Sequence, residues 1–367
     1  MVIVEQQLVK RVNIRFVATI GLLLAIGLLV QYSASRNVSA DSFYYIKKQL
    51  VWIGAGLCGT VLAFRFDYRK LRAYTAQAYL LAVASLVLVY FAGHQAGGAQ
   101  SWLGWGGLQL QPAEFAKIAF ILILADRLEA QKGDISQLRQ ILPILAYAAV
   151  PLILIVIQPD LGSALVFAAI VAGMFYVAGV PVKILAWLAG ICAAAVPLAY
   201  EFLLKPYQRL RLTVFINPWV DKLGAGYNVI QSTIAVGSGR FFGRGYLQGT
   251  QAHLNFLPAH HTDFVFSVLA EETGFIGTIL VLFIFYKLLK STLEQLAQSY
   301  DRYGMLVVTG LICMWTFHIM ENVGMAIGIM PITGIPLPFV SYGGSAMIVN
   351  LMAAGLIANV QTRRFVY

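Results

Sequence analysis

Apolar segments recur along the whole chain, at residues 16–32, 50–64, 76–93, 113–125, 141–157, 161–179, 184–204, 263–286, 303–329 and 342–360. Crossing the hydrocarbon core of a bilayer takes roughly 20 residues of helix. Ten such segments in 367 residues leave little chain for anything else. The pattern therefore predicts an all-α polytopic membrane protein, with ten transmembrane helices in one domain spanning residues 1–367. Composition agrees, with 59% hydrophobic and 11% charged residues, against roughly 25% charged in soluble globular domains. That balance excludes an ordinary soluble enzyme, a disordered chain and a disulfide-stapled secreted module. Cys58, Cys192 and Cys313 each lie inside an apolar run without the paired spacing of a zinc or redox site, and read as small core residues.

The net charge of +10 works as a topology signal rather than a nucleic-acid footprint, because no compact basic run is interleaved with aromatics. Lys10, Arg11 and Arg15 precede the first segment and imitate a secretory signal peptide. The long apolar core and the further segments after it make a retained signal-anchor the better reading. With the N-terminus in the cytoplasm, 16 cations fall inside and 9 outside, and Lys117 lies within a span. Six of the outer nine sit in one long loop, and long loops barely influence orientation. Both termini are thus expected in the cytoplasm. The long loop, residues 205–262 between spans 7 and 8, then lies on the outer face. It carries Tyr207, Phe215, Trp219, Phe241, Phe242, Tyr246 and Phe256 among its cations, so it is expected to be partly ordered and to pack on the membrane surface.

Ionisable groups at membrane depth cost about 2.5–3.5 kcal/mol each on insertion scales and face a partner or a cavity. Glu114 and Lys117 are three apart, on one helical face: a self-neutralising pair, or the charged wall of an outward cavity. Gln158-Pro159-Asp160-Leu161-Gly162 reads as a helix start with an acidic cap. His318 and Glu321, again three apart, read as a satisfied buried pair. His260-His261-Thr262-Asp263 closes the long loop. Asp263 there is either a plain N-cap or a functional carboxylate, and the histidines lack HExxH-like ligand spacing. The stretch Gly237-Ser238-Gly239-Arg240-Phe241-Phe242-Gly243-Arg244-Gly245 reads as flexible turns, with phosphate cradling the weaker alternative. Arg209 and Arg211, before Phe215–Trp219, fit an interfacial element that is either a passive anchor or a clamp for an anionic lipid. A secondary transporter fits these features as well as a membrane enzyme does.

Particular strings narrow the choice. They are Trp102-Leu103-Gly104, Gln111-Pro112-Ala113-Glu114-Phe115-Ala116-Lys117, Gln158 to Ser163, Phe215-Ile216-Asn217-Pro218 through Gln231-Ser232, Leu257-Pro258 to Phe264, Ala270-Glu271-Glu272, and Pro331 to Ser345, which includes Ser341. By these strings, over essentially all ten spans, the chain resembles the SEDS family (shape, elongation, division and sporulation proteins). The short N-terminus and Leu269-Ala270-Glu271-Glu272 place it nearer the RodA branch than the FtsW branch. It departs from the family pattern at Ser101, where an Arg is usual, and at Ala259, where a Glu is usual.

The resemblance implies peptidoglycan glycosyltransfer for cell elongation at the outer face of the bacterial inner membrane. Lipid II is the donor, and undecaprenyl pyrophosphate leaves. A sugar linked α to pyrophosphate that becomes a β-1,4 glycoside is inverted by one displacement, which needs one general base and no protein nucleophile. Asp263 matches that base by motif position. Lys117, Arg209 and Arg211, with Arg240 and Arg244 weaker, are the cations for the leaving group. Glu114 would orient Lys117, while Asp160 and Ser341 would line the substrate site. A divalent cation, Mg²⁺ or Mn²⁺, is implied by the resemblance alone. The chain lacks an SxxK nucleophile motif, so the implied partners are a class B penicillin-binding protein as transpeptidase and other elongation-complex membrane proteins. The alternatives are a lipid II flippase, which gives a lone outer carboxylate no role, and a scaffold that only recruits partners.

Overall fold

The computed structural model describes residues 11–36, 41–96, 99–105, 108–131, 135, 138–202, 204–254, 256–297 and 301–363. Lys10, Lys132 and Arg364, counted above among the inner cations, lie outside the described residues. Every apolar segment of the sequence falls on a helix. These are α1 (Ile14–Ser35), α2 (Tyr44–Arg65), α3 (Thr75–Ala92), α4 (Pro112–Ala130), α5 (Leu138–Ile157), α6 (Leu161–Val177) and α7 (Val182–Phe202). Two short helices follow, α8 (Pro206–Ile216) and α9 (Ala225–Ser238), then α10 (Val265–Ala297), α11 (Arg302–Ala326) and α12 (Gly344–Arg363).

Among the described residues, seven helices are long and apolar enough to cross a membrane: α1, α5, α7, α11, α12, the stretch Tyr68–Ala92 that includes α3, and Val265–Glu294 of α10. Of the rest, α6 has 17 residues, α4 carries the Glu114–Lys117 pair, and α2 begins with Lys47 and Lys48.

Local sequence sets the helix starts. Asn13 caps α1 by accepting from Arg15 N (3.0 Å), Pro112 occupies the first turn of α4, and Asp301 caps α11 by accepting from Gly304 N (2.8 Å). The all-α expectation needs one addition. A three-stranded antiparallel meander, β1 (His94–Ala96), β2 (Ala99–Trp105) and β3 (Leu108–Leu110), fills the connection from α3 to α4. Paired glycines at 97–98 and 106–107 split this stretch into runs too short for helical periodicity to register. Ser101 is buried in β2.

The core lies along α4, α11 and α12, where Trp315 stacks on Phe16 (6.5 Å), meets Phe339 edge-on (5.4 Å) and donates to Asn350 Oδ1 (2.8 Å). At the other extreme, α7 buries none of its residues. Cys58 and Cys192 are exposed on helix surfaces rather than in the core, because their apolar runs face outward there; Cys313 is half-buried. One end of the bundle is tied by ion pairs. Arg72 reaches Asp126 (2.7 Å) and Glu129, Arg363 reaches Asp67 (3.7 Å), and Tyr68 donates to Asp301. The candidate site lies at the opposite end, where α1 and α11 finish and α4, α10 and α12 begin.

Candidate active site

Asp263 sits on a tight turn just ahead of α10. Ala259 adopts φ +50°, and its carbonyl receives the N–H groups of Thr262, Asp263 and Phe264 (3.1, 3.1 and 3.3 Å). The carbonyls of the turn are then held one by one. His261 O accepts from Gln31 Nε2 on α1 (2.7 Å) and from Tyr342 N (3.1 Å). Thr262 O accepts from Ser341 Oγ (2.7 Å), which itself accepts from Leu337 N (2.9 Å). Asp263 O accepts from Asn322 Nδ2 on α11 (2.8 Å). Three consecutive peptide groups are thus fixed by three separate parts of the fold, so the Asp263 side chain is aimed by a rigid frame.

The segment that follows α11 assembles the surroundings. Arg211 Nη1, from α8, donates to Ile332 O (3.4 Å). Thr333 Oγ1 donates to Glu321 Oε1 (2.7 Å), and Ile335 O accepts from the same Asn322 amide (2.8 Å). Gly334, at φ +76°, faces the carboxylate: a Cβ there would stand 3.4 Å from Asp263 Oδ2. The start of α6 closes in from the side, since a Cβ at Gly162 would meet Thr333 O at 2.8 Å.

Asp160 caps α6 as its sequence context predicts. It accepts from Ser163 N (3.0 Å), Ser163 Oγ (2.9 Å) and Gln111 Nε2 (3.0 Å), which ties α6 to the start of α4. Tyr207 and Gln208 of α8 donate to Pro159 O (3.0 and 3.3 Å), clamping α8 on this corner.

Lys117 and Glu114 are both buried and paired at 2.6 Å, and the Lys117 ammonium also donates to His318 Nε2 (3.1 Å). His318 and Glu321 therefore do not pair with each other, because their neighbours differ: His318 faces α4, and Glu321 faces Thr333. His318 precedes Asn322 by one helical turn, about 6 Å along α11. The buried ion pair and the Asp263 turn are read off one rail.

Burial pushes the Asp263 carboxyl up to about 6, against the opposing pull of the Arg211 charge and the Thr262 hydroxyl. Burial, helped by neighbouring His260, pushes His261 down to about 4, so its ring is neutral near pH 7. The His261 ring packs at a tilt against Tyr45 (4.9 Å) and Tyr342 (6.0 Å). Both ring nitrogens of His260 face carbonyls, Leu257 O and Ala34 O (2.8 Å for the latter). The histidine pair is thus engaged with backbone and aromatic rings. Among the described residues no group of three or more His, Cys, Asp or Glu side chains is placed to hold a metal. The described residues offer no cage of protein ligands for the divalent cation the resemblance implies.

Of the other cations named from sequence, Arg209 turns away to Leu204 O (3.1 Å) and Glu201 O at the end of α7. Arg244 reaches Thr250 Oγ1 (3.0 Å) and Glu271 (3.9 Å), and Arg240 is exposed. Arg211 is the cation brought to Asp263. Residues missed from sequence are Asn322, Gln31 and Thr333, all polar groups whose role is to hold backbone or carboxylate oxygens.

The glycine stretch forms turns, as its composition predicts, but they are packed against α10. Arg244 N donates to Glu271 O (2.9 Å) and Gly245 N to Glu272 O (3.1 Å), while Gly243 N bonds within the stretch to Gly239 O (2.7 Å). Helix α10 breaks at Gly274 (φ 68°, ψ −165°), and the freed N–H of Phe275 donates to Arg240 O (2.8 Å). A Cβ at Gly243 would lie 2.0 Å from Glu272 O, and one at Gly274 would lie 2.2 Å from Gly243 N. Gly274→Ala is expected to lower stability by about 1–3 kcal/mol or more. Gly237→Ala, in α9 where its Cβ meets open space, should keep or raise stability, by up to about 1 kcal/mol. Thermal melts in detergent compare the two, and equal melting temperatures would sink the close-approach account.

A family model described as a cell cycle protein, FtsW/RodA/SpoVE, matches residues 14–365. The chain is 39% identical over 346 residues to stage V sporulation protein E of Bacillus subtilis (strain 168), covering 92% of this chain and 94% of that one. It is 35% identical over 347 residues to peptidoglycan glycosyltransferase MrdB of Escherichia coli (strain K12), covering 94% and 93%. It is 33% identical over 417 residues to peptidoglycan glycosyltransferase RodA of Treponema pallidum (strain Nichols), covering 93% and 95%. Among solved structures, the rod shape determining protein RodA of Thermus thermophilus superposes with a TM-score of 0.73 at 28% identity, covering 96% and 98%. A chain from a peptidoglycan synthase complex, solved for its structural coordination of polymerization and crosslinking, superposes with a TM-score of 0.81 at 32% identity over the same shares.

Proposed function

The chain belongs to the FtsW/RodA/SpoVE family and is a peptidoglycan glycosyltransferase; from that premise we propose that it polymerises lipid II, with Asp263 as the general base. The polymerase so proposed has ten spans, both termini in the cytoplasm of a bacterial cell, and Asp263 at the outer membrane boundary. The supporting observation is the frame around Asp263, in which three successive carbonyls are pinned while the carboxylate faces Gly334 and the charge of Arg211.

In this mechanism the Asp263 carboxylate takes the proton from the acceptor hydroxyl as that oxygen attacks the anomeric carbon of the donor. The bond to the pyrophosphate breaks on the opposite face, and the configuration inverts from α to β. Arg211 and Lys117 supply positive charge as the diphosphate gathers electrons. Asn322 and Ser341 act through the backbone as positioning residues, and Asp160 with Gln111 shapes the wall between α4 and α6.

The role we assign is cell elongation and rod shape; relatives named stage V sporulation protein E and FtsW also match. Crosslinking falls to a class B penicillin-binding protein, in keeping with the synthase complex that one structural neighbour comes from. Other elongation-complex membrane proteins are the remaining expected partners.

The test is reconstitution of the pure chain in proteoliposomes with lipid II, with and without the transpeptidase partner and Mg²⁺ or Mn²⁺. Glycan strands on a gel support the reading. Movement of lipid II between leaflets with no strand formed would assign a flippase instead. The pH dependence follows from the raised carboxyl: the base must be ionised, so initial rates should fall tenfold per pH unit below about 6 and level off above it. A profile flat down to the ordinary carboxylate range near 3.8 would count against Asp263 as the base.

A further inference from the structure

The turn between α8 and α9 lies outside the machinery described so far, and its side chains point away from the protein. Ile216, Trp219, Val220 and Leu223 are 83%, 63%, 59% and 95% exposed. The backbone beneath them is nonetheless firmly built. Asn217 Oδ1 accepts from Trp219 N (3.1 Å), and the two carboxylate oxygens of Asp221 accept from Gly224 N (3.0 Å) and Ala225 N (2.8 Å). A Cβ at Gly226 would lie 2.1 Å from Pro218 O, so the turn and the start of α9 are in close backbone contact. Four large apolar side chains displayed on an ordered frame form a surface made to be covered.

The chemistry of the cover is written in the charges. Residues 205–262 hold Lys205, Arg209, Arg211, Lys222, Arg240 and Arg244 against a single acid, Asp221, and that acid is committed to the turn. The Lys222 ammonium lies 5.3 Å from the centre of the Trp219 ring. Tryptophan with an adjacent lysine is the composition of a membrane–water boundary, with the ring at headgroup depth and the amine reaching for phosphate. Position favours lipid over a protein partner. α8 springs from the end of α7, the helix that buries none of its residues, and Arg209 fastens the two by donating to Glu201 O in the last turn of α7 and to Leu204 O just past it. The turn is therefore carried by the most lipid-exposed edge of the bundle.

We propose that the Ile216–Leu223 turn is a membrane anchor, its apolar side chains set into the outer leaflet with Lys222 at the phosphates of anionic lipids. The anchor holds α8, and with it Arg211, at the depth where the headgroup of a lipid-linked donor sits. The placement on the outer leaflet rests on the function proposed above, but the test reads depth and not polymerisation, so the two fail separately.

A nitroxide on Trp219→Cys, in a chain whose Cys58, Cys192 and Cys313 are replaced by Ser, is reconstituted in phosphatidylcholine vesicles with and without phosphatidylglycerol. Leu223→Cys, at a side chain 95% exposed, serves as the second site should the first substitution disturb folding. Collision with oxygen is compared with collision with a water-soluble nickel chelate, against a label at exposed Gln248 of the same loop. The expected oxygen-to-nickel ratio is several-fold higher at 219 or 223 than at 248. It should rise further with phosphatidylglycerol, and Lys222→Glu should remove that rise. Equal ratios at all three sites would overturn the proposal. So would shielding that appears only when a penicillin-binding protein is added, which would make the turn a protein interface.

Discussion

Asp263→Asn is expected to abolish glycan-strand formation from lipid II while leaving the protein folded, and more stable than the parent above pH 6. The amide matches the carboxylate in size, and the main-chain frame is untouched, since Asn322, Ser341 and Gln31 bind backbone carbonyls rather than this side chain. What disappears is the proton acceptor. A positioned general base contributes about 10²–10⁴-fold, and in an inverting displacement no protein nucleophile stands behind it, so the loss should reach the upper part of that range. The stability effect has a definite sign. The carboxyl is raised in the folded state to about 6 from 3.8, so the fold favours its protonated form. That favourable contribution is complete below the unfolded value and is lost as pH rises through about 6. The melting temperature of Asp263→Asn should therefore draw ahead of the parent between those two values and keep a constant lead above. Strand synthesis on gels and melts across that pH interval measure both. Polymerisation by the variant at the parental rate would remove Asp263 from the chemistry.

The helices were legible because an apolar run of span length has few other ways to satisfy its backbone, and each of the ten runs lies on one. The Asp263 turn was legible through the motif it closes. Partnerships were not. Residues His318 and Glu321, three apart, share a helical face, yet spacing cannot tell which element that face meets, and the two side chains reach α4 and Thr333. Asn322 and Gln31 are single amides inside apolar runs, with no motif around them to mark them. Their meaning lies in carbonyls 59 and 230 positions away in sequence. The glycines of 237–245 form the expected turns, but their packing on α10 was not legible, because close approach of backbone to backbone leaves the same composition as looseness. Arg209 and Arg211 could have been separated from sequence: two residues apart on a helix they point to different sides, and the structure sends one to the end of α7 and the other to Ile332.

The second large effect concerns the ion pair inside α4. Lys117 is 1% exposed and Glu114 is 3% exposed, joined at 2.6 Å, with His318 as the second acceptor for the ammonium. Removing one partner of a buried pair strands the other charge, at a cost of about 3–5 kcal/mol. Glu114→Leu and Lys117→Met should each melt far below the parent, and loss of activity in either alone would say nothing about catalysis. The double variant Glu114→Leu/Lys117→Met separates the roles. Replacing both charges with apolar groups of similar volume is close to neutral for a buried pair, so its melting temperature should return toward that of the parent, with His318 left as a neutral ring. If Lys117 supplies charge to the departing diphosphate, this refolded variant still polymerises lipid II poorly, and excess lipid II does not restore the maximal rate, because the deficit lies in the displacement rather than in binding. A double variant that melts like the parent and also polymerises at the parental rate would make the pair a structural bolt. The positive charge for the leaving group would then rest on Arg211.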